Sequence, residues 1–177
     1  MPIPPVPIGP APRKLEAIEK HESSLLFPSF TADTAFALGV HLRNRLHNLT
    51  PKPASISITF ANSSQLLFHA CTHPGTTPDN DIWIARKRAT VLRFGKSTWY
   101  QHIKFQGDEQ AFAEKFGMGP EKAGDYAIHG GGVPIRVEGV EGVVAVLVVS
   151  GLKQEEDHMV AMEAVEDCIQ EIKVNVQ

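Results

Sequence analysis

The sequence predicts an α+β domain built on an antiparallel sheet, and three observations carry the prediction. Ser55-Ile56-Ser57-Ile58-Thr59-Phe60 alternates polar and apolar residues, the period of a half-buried strand. A turn at Asn62-Ser63-Ser64 then returns the chain along Gln65–Cys71 as the second arm of a hairpin. A β-branched run (Val144, Val146, Val148, Val149) is apolar on both faces, which marks a buried strand. The element order is helix, two strands, helices, three strands, helix, and this grouping of strands argues against alternating βαβ units.

Taken along the chain, residues 1–12 (MPIPPVPIGPAP) are dominated by proline and predict an extended tail, disordered unless docked. Such a tail is either inert or a proline-motif ligand for a protein partner. Residues 13–177 read as a single domain. Arg13–Glu22 has short helical character. Thr31-Ala32-Asp33 opens a clear helix whose stripe is Ala35, Leu38, Leu42, Leu46 and Leu49, and Pro51 and Pro53 end it. After the Pro74–Pro78 loop, Asp79 or Asp81 is expected to cap a helix over about 81–97, with Ile82, Ala85, Ala89, Leu92 and Phe94 buried. A further helix is expected near Asp108–Phe116. Tyr126-Ala127-Ile128 and Val133–Val137 are strand candidates. The last helix carries His158, Met162, Val165, Cys168, Ile169 and Ile172 on one side, and Val174–Gln177 is expected to fray.

Composition bounds the function classes. A length of 177 residues with 42% hydrophobic and 21% charged content suits one globular domain. A formal charge of −3 gives no electrostatic reason to expect nucleic acid or an anionic membrane surface as partner. No apolar stretch approaches a membrane span, and no secretory signal is evident, so a cytoplasmic location is the expectation. Cys71 and Cys168 form no metal or redox spacing.

Three places could carry chemistry. Arg86 and Arg93 share one helical face and could clamp a carboxylate or phosphate, or could simply pair with the many glutamates. His129-Gly130-Gly131-Gly132 could present backbone N–H groups to an anion, or could be a glycine-rich turn. A lipase-type reading of that HGGG run lacks its G-x-S-x-G partner. At the elbow from Ser150 to His158, Glu156 and His158 could act as base and orienting partner, or His158 could ligate a metal or haem iron. Since His158 opens an apolar stripe, a buried packing role competes with the ligand role. No H-E-x-x-H spacing, P-loop or dinucleotide fingerprint is present, and no nucleophile–base pair is evident. No catalytic residue and no metal site is therefore assigned.

PGTTPDND (Pro74–Asp81), RKR followed by VLRFG (Arg86–Gly95), HGG with PIRV (His129–Val137) and SGLKQEEDH (Ser150–His158) occur in one order. Together they resemble a branch of small proteins within the haem-degrading-domain, or HbpS/GlcG-like, superfamily, over about Glu22–Ile169. The resemblance implies a profilin-like fold, with a five-stranded antiparallel sheet flanked by helices, and assembly as a homo-oligomer. It also makes haem a possible cofactor. The expectation is a small anionic or haem-like ligand held by Arg86, Arg93, His129, Gly130, Gly131, Ser150, Glu156 and His158. The alternative is a non-catalytic oligomeric scaffold or adaptor for protein partners, in which the charged motifs serve subunit packing.

Overall fold

A computed structural model describes residues 6–175 of the chain. Its elements are α1 (Leu15–Ser24), β1 (Leu26–Phe27), α2 (Ala32–Leu49), β2 (Ser55–Phe60), β3 (Leu66–Cys71), α3 (Pro78–Phe94), α4 (Thr98–Lys104), α5 (Glu109–Lys115), α6 (Pro120–Ala123), β4 (Gly132–Val137), β5 (Ala145–Ser150) and α7 (Gln154–Asn175). The strands form one sheet in the order β1-β4-β5-β2-β3. Helices cover both faces. Ala145, Leu147 and Val149 of β5 pack with Leu38, Leu42 and Leu46 of α2 and with Val160, Ala164 and Val165 of α7. On the opposite face Val146 and Val148 pack against Ile84 and Val91 of α3. The central strand is thus buried on both sides, as its unbroken valine run requires.

The α+β class and the five strands hold, with two corrections. The sheet is mixed, because β1 pairs with β4 in parallel while β4–β5, β5–β2 and β2–β3 are antiparallel. The fifth strand is Leu26–Phe27, and Tyr126–Ile128 is not a strand. The reason lies in backbone satisfaction. The Ala127 N–H donates to Thr90 Oγ1 (3.1 Å), Thr90 Oγ1 donates to the Ala127 carbonyl (2.8 Å), and Arg86 Nη2 donates to the Tyr126 carbonyl (2.9 Å). Side chains of α3 supply what a neighbouring strand would otherwise give.

Helix α3 also corrects the expected stripe. Ile82 is 59% exposed and Leu92 37%, whereas Ile84, Lys87, Thr90 and Val91 are buried. The buried face mixes apolar and polar residues, so counting apolar spacing selected the wrong side. Its cap is Thr77, whose N–H donates to Asn80 Oδ1 (2.9 Å), and Asp79 and Asp81 stand in the first turn instead. Helices α4 and α6 were not anticipated. Together with α5 they enclose a cluster of Phe94, Phe105, Phe112, Phe116 and Tyr126.

Residues 1–5 of the expected tail and 176–177 of the expected frayed end lie outside the described residues. Over residues 6–12 the chain is docked. The Gly9 N–H donates to Glu163 Oε1 (2.8 Å), and the Pro12 carbonyl accepts from Trp99 Nε1 (2.8 Å). No described helix is long and apolar enough to cross a membrane.

Candidate functional site

The polar elbow after β5 is held by a charge pair that spans two helices. Lys87 of α3 donates through Nζ to the Val149 carbonyl (3.0 Å) and to Asp157 Oδ2 (3.1 Å). Asp157, in the first turn of α7, also accepts the Gly151 N–H at Oδ2 (3.3 Å) and the Leu152 N–H at Oδ1 (3.0 Å). Both charged side chains are 3% exposed. Burial pulls the Lys87 ammonium below the ordinary lysine range, against the attraction of Asp157. Burial likewise pushes the Asp157 carboxyl upward, opposed by Lys87 and by the Leu152 and Gly151 amides.

This pair dictates the glycines. A Cβ on Gly131, whose φ is +122°, would meet the Val149 carbonyl at 2.2 Å and Lys87 Nζ at 2.8 Å. A Cβ on Gly130 would meet the Gln154 carbonyl at 2.2 Å. The H-G-G-G segment is therefore bare so that β4, β5 and the α7 elbow can close on the ion pair. Its amides are partly engaged within the chain: Gly130 N–H donates to Gln154 Oε1 (3.3 Å) and Gly132 N–H to Thr98 Oγ1 (3.0 Å).

Above the pair opens a cleft of about 540 Å³ between the start of α3 and the elbow. Asn80, Trp83, His129, Ser150, Lys153 and Glu155 line it together with the buried Lys87 and Asp157. The volume falls in the range of small-molecule sites. His129 meets Trp83 edge to face, with ring centroids 4.9 Å apart. Its Nδ1 is buried and lies 3.1 Å from Glu109 Oε1. Nδ1 has no hydrogen-bond partner among the described residues. His102 stands behind, its Nε2 3.4 Å from Gln154 Nε2. Burial lowers its pKa, helped by His129 and Arg13 and opposed by Glu155 and Glu109.

The eight residues expected to share one pocket divide. His129 and Ser150 line the cleft, with Gly130 and Gly131 close under it. Arg86 reaches it only through Trp83, over whose ring its guanidinium sits at 4.6 Å. Arg93 stacks over Phe94 and Tyr126 (5.2 and 5.1 Å) and does not line the cleft. Glu156 accepts the Lys153 N–H (3.2 Å) as a helix cap and faces a different hollow, beside Ile8 and Leu49. His158 is fully buried and stacked near Trp99 at 6.0 Å. Burial drops its pKa to about 3, and neither ring nitrogen has a partner among the described residues.

Sequence reasoning did not single out Trp83 or Asn80, and it met Lys87 only within the basic patch Arg86-Lys87-Arg88 and Asp157 only among the acids that open the last helix, without pairing them. One signal was available for Lys87, which stands three residues after Ile84 and four before Val91, on the face that carries the buried residues. His69 and His73, four residues apart, also diverge: His69 approaches Asp81 (3.4 Å) while His73 stacks on His47 (4.3 Å). No group of three or more metal-ligating side chains forms among the described residues.

The family described as haem degrading protein HbpS-like matches residues 30–166. A UPF0303 protein of Streptomyces avermitilis is 42% identical over 156 residues, covering 88% of this chain and 90% of that one. The UPF0303 protein YBR137W of Saccharomyces cerevisiae is 42% identical over 149 residues, covering 84% and 80%. The crystal structure of Ybr137w superposes with a TM-score of 0.83 at 39% identity, covering 90% of each chain. A Streptomyces reticuli HbpS double mutant gives a TM-score of 0.60 at 18% identity, covering 78% of this chain and 86% of that one. A PduOC–haem complex gives 0.54 at 17% identity, covering 80% and 94%. At those identities the last two share the fold.

Proposed function

The chain belongs to the HbpS-like family of haem-degrading proteins, and from that premise we propose that the α3–elbow cleft binds a small, planar, haem-like ligand with His129 at its iron. The observation that carries this reading is the His129 arrangement. His129 stands in the cleft against Trp83 with the Glu109 carboxylate 3.1 Å from its Nδ1, and an imidazole is a common ligand of haem iron. The residues fit such a ligand in three ways. Trp83 would offer a flat aromatic wall, Lys153 a cation to a propionate-type carboxylate, and His129 an imidazole nitrogen to the iron. His158 does not fit, because Trp99 and the core enclose it. Arg86 serves indirectly by stacking on Trp83, and Arg93 takes no part. Bound haem would supply a redox-active iron. The chain's own contribution is to orient that ligand, exclude water from one face and hold the elbow rigid through Lys87–Asp157.

Haem titration followed by visible absorbance tests the proposal. The expected result is a Soret shift at micromolar haem that His129→Ala abolishes and His158→Ala retains. No shift, or an unchanged shift in His129→Ala, removes the reading.

A second reading, self-assembly into a homo-oligomer, has its own observation. Strand β3 is an edge strand, and beside it Leu66 is 58% and Phe36 63% exposed. An open edge flanked by large apolar side chains is a pairing surface that a solitary chain would be expected to blunt. Light scattering on the wild type and on Leu66→Lys tests it: an oligomer that the lysine dissociates supports this reading, and a monomeric wild type ends it.

A further inference from the structure

Helix α3 carries a second stripe, on the side turned away from the sheet. Ile82, Ala85, Ala89 and Leu92 are spaced three, four and three residues apart, so at about 100° per residue they fall within one sector of the helix. Ile82, Ala85 and Leu92 are exposed and Ala89 is half-buried, while Ile84, Lys87, Thr90 and Val91 take the sheet side. An apolar stripe with core spacing that stays exposed along a helix marks an interaction surface. The charges beside it say what covers it. Asp79 and Asp81 stand in the first turn of α3, and Arg88 and Arg93 in its second half. Among the described residues neither arginine forms an ion pair with a carboxylate, and Arg93 stacks on Phe94 and Tyr126 instead. By helical periodicity Asp79 and Arg93 flank the stripe on one side, and Asp81 and Arg88 on the other. Turned end for end, this face complements itself.

We propose that a second copy of this chain packs α3 against α3, antiparallel, about a two-fold axis beside Arg86. That axis sets Asp79 of one copy level with Arg93 of the other, and Asp81 within about 4.5 Å of Arg88 along the helix. Ile82 falls beside Ala89 of the second copy, large against small, and Leu92 closes each end of the contact. Arg86, on the axis, is drawn aside onto Trp83 and the Tyr126 carbonyl, which limits repulsion from its counterpart. This contact is distinct from the β3 edge, whose neighbour Phe36 belongs to α2 on the other face of the sheet. It also abuts the cleft, because Asp79 is one of the cleft's lining residues and receives an arginine from the second copy.

Light scattering and sedimentation of the full chain test this. The wild type is expected to associate, and Asp79→Arg or Arg93→Asp alone to weaken association about tenfold. The double variant Asp79→Arg/Arg93→Asp restores opposite charges across the axis and is expected to recover the wild-type assembly. The two positions lie about 21 Å apart along one helix, so such recovery comes from a second copy and not from within the chain. Ile82→Lys, at an exposed position, is expected to give a smaller particle with unchanged circular dichroism. A monomeric wild type overturns the proposal together with the β3-edge reading. An assembly that Leu66→Lys dissociates, but that Ile82→Lys and both single charge changes leave intact, overturns the α3 contact and leaves the edge reading standing. A folded double variant that stays as weakly associated as the single ones overturns the antiparallel pairing.

Discussion

Replacing Lys87 by methionine should cost more stability than any surface charge in the chain. Methionine keeps most of the buried stem volume but strands the Asp157 carboxylate, which is 3% exposed. Removing one partner of a buried ion pair costs about 3–5 kcal/mol. Here the Gly151 and Leu152 amides remain as donors to Asp157, so the lower end of that range applies. For a chain of 177 residues, about 3 kcal/mol corresponds to a fall in Tm of roughly 10 °C. The double variant Lys87→Met/Asp157→Asn removes both charges and keeps an acceptor for Leu152, so it should lose at least about 1 kcal/mol less than the two single losses combined. Urea unfolding of wild type, both single variants and the double variant at neutral pH gives all the terms of this cycle. Single variants within about 0.5 kcal/mol of wild type, or strictly additive losses, would refute the reasoning, because the pair would then not be the clamp of the elbow.

Three further outcomes follow from the same geometry. Gly131→Ala should destabilise by more than about 3 kcal/mol, since its Cβ would lie 2.2 Å from the Val149 carbonyl at a φ of +122°; a urea midpoint near wild type would contradict the close-approach account. His158 has a folded-state pKa of about 3 against an ordinary 6.5. Its contribution is therefore complete above about pH 6.5 and is lost on acidification toward pH 3, by roughly 1.4 kcal/mol per pH unit. Between about pH 7 and pH 5 the wild type should lose about 2 kcal/mol more than His158→Phe, as read from urea midpoints at the two pH values; parallel pH profiles would exclude that burial. Cys71 is exposed, while burial pushes the Cys168 thiol up to about 11. A thiol reagent at neutral pH should therefore label the native chain once and the unfolded chain twice, and two rapid equivalents in the native state would contradict the packing of α7.

The sheet's centre was legible because its signal is dense and local. Five consecutive apolar residues in β5 and strict alternation in β2 place both strands where the pattern puts them, although β2 is buried on both faces and not half-buried, with Ser55, Ser57 and Thr59 enclosed as well. β1 has only Leu26 and Phe27, too short for any period, and exists because β4 offers it an edge. Tyr126–Ile128 has strand composition but gives its hydrogen bonds to Thr90 and Arg86, a choice made by tertiary contacts. The site followed the same division. The glycines and the elbow were visible as motifs. The partners were not, because Lys87 and Asp157 are 70 residues apart and each looks like one charge among neighbours of the same sign.

The HGG and elbow motifs are better understood as one device than as two sites. Gly130 and Gly131 lack side chains because the Gln154 and Val149 carbonyls and Lys87 Nζ fill that space. The run Glu155-Glu156-Asp157 then divides: Glu155 lines both the cleft and the hollow beside Ile8, Glu156 caps the helix, and Asp157 turns inward to the lysine. A helix start rotates successive residues by about 100°, so the three adjacent acids point in different directions. The same rotation takes His158 past the cleft and into the core beside Trp99. The cleft histidine must therefore come from another segment, and His129, delivered by the very loop whose glycines admit Lys87, is the one that the closure of the elbow brings to the wall.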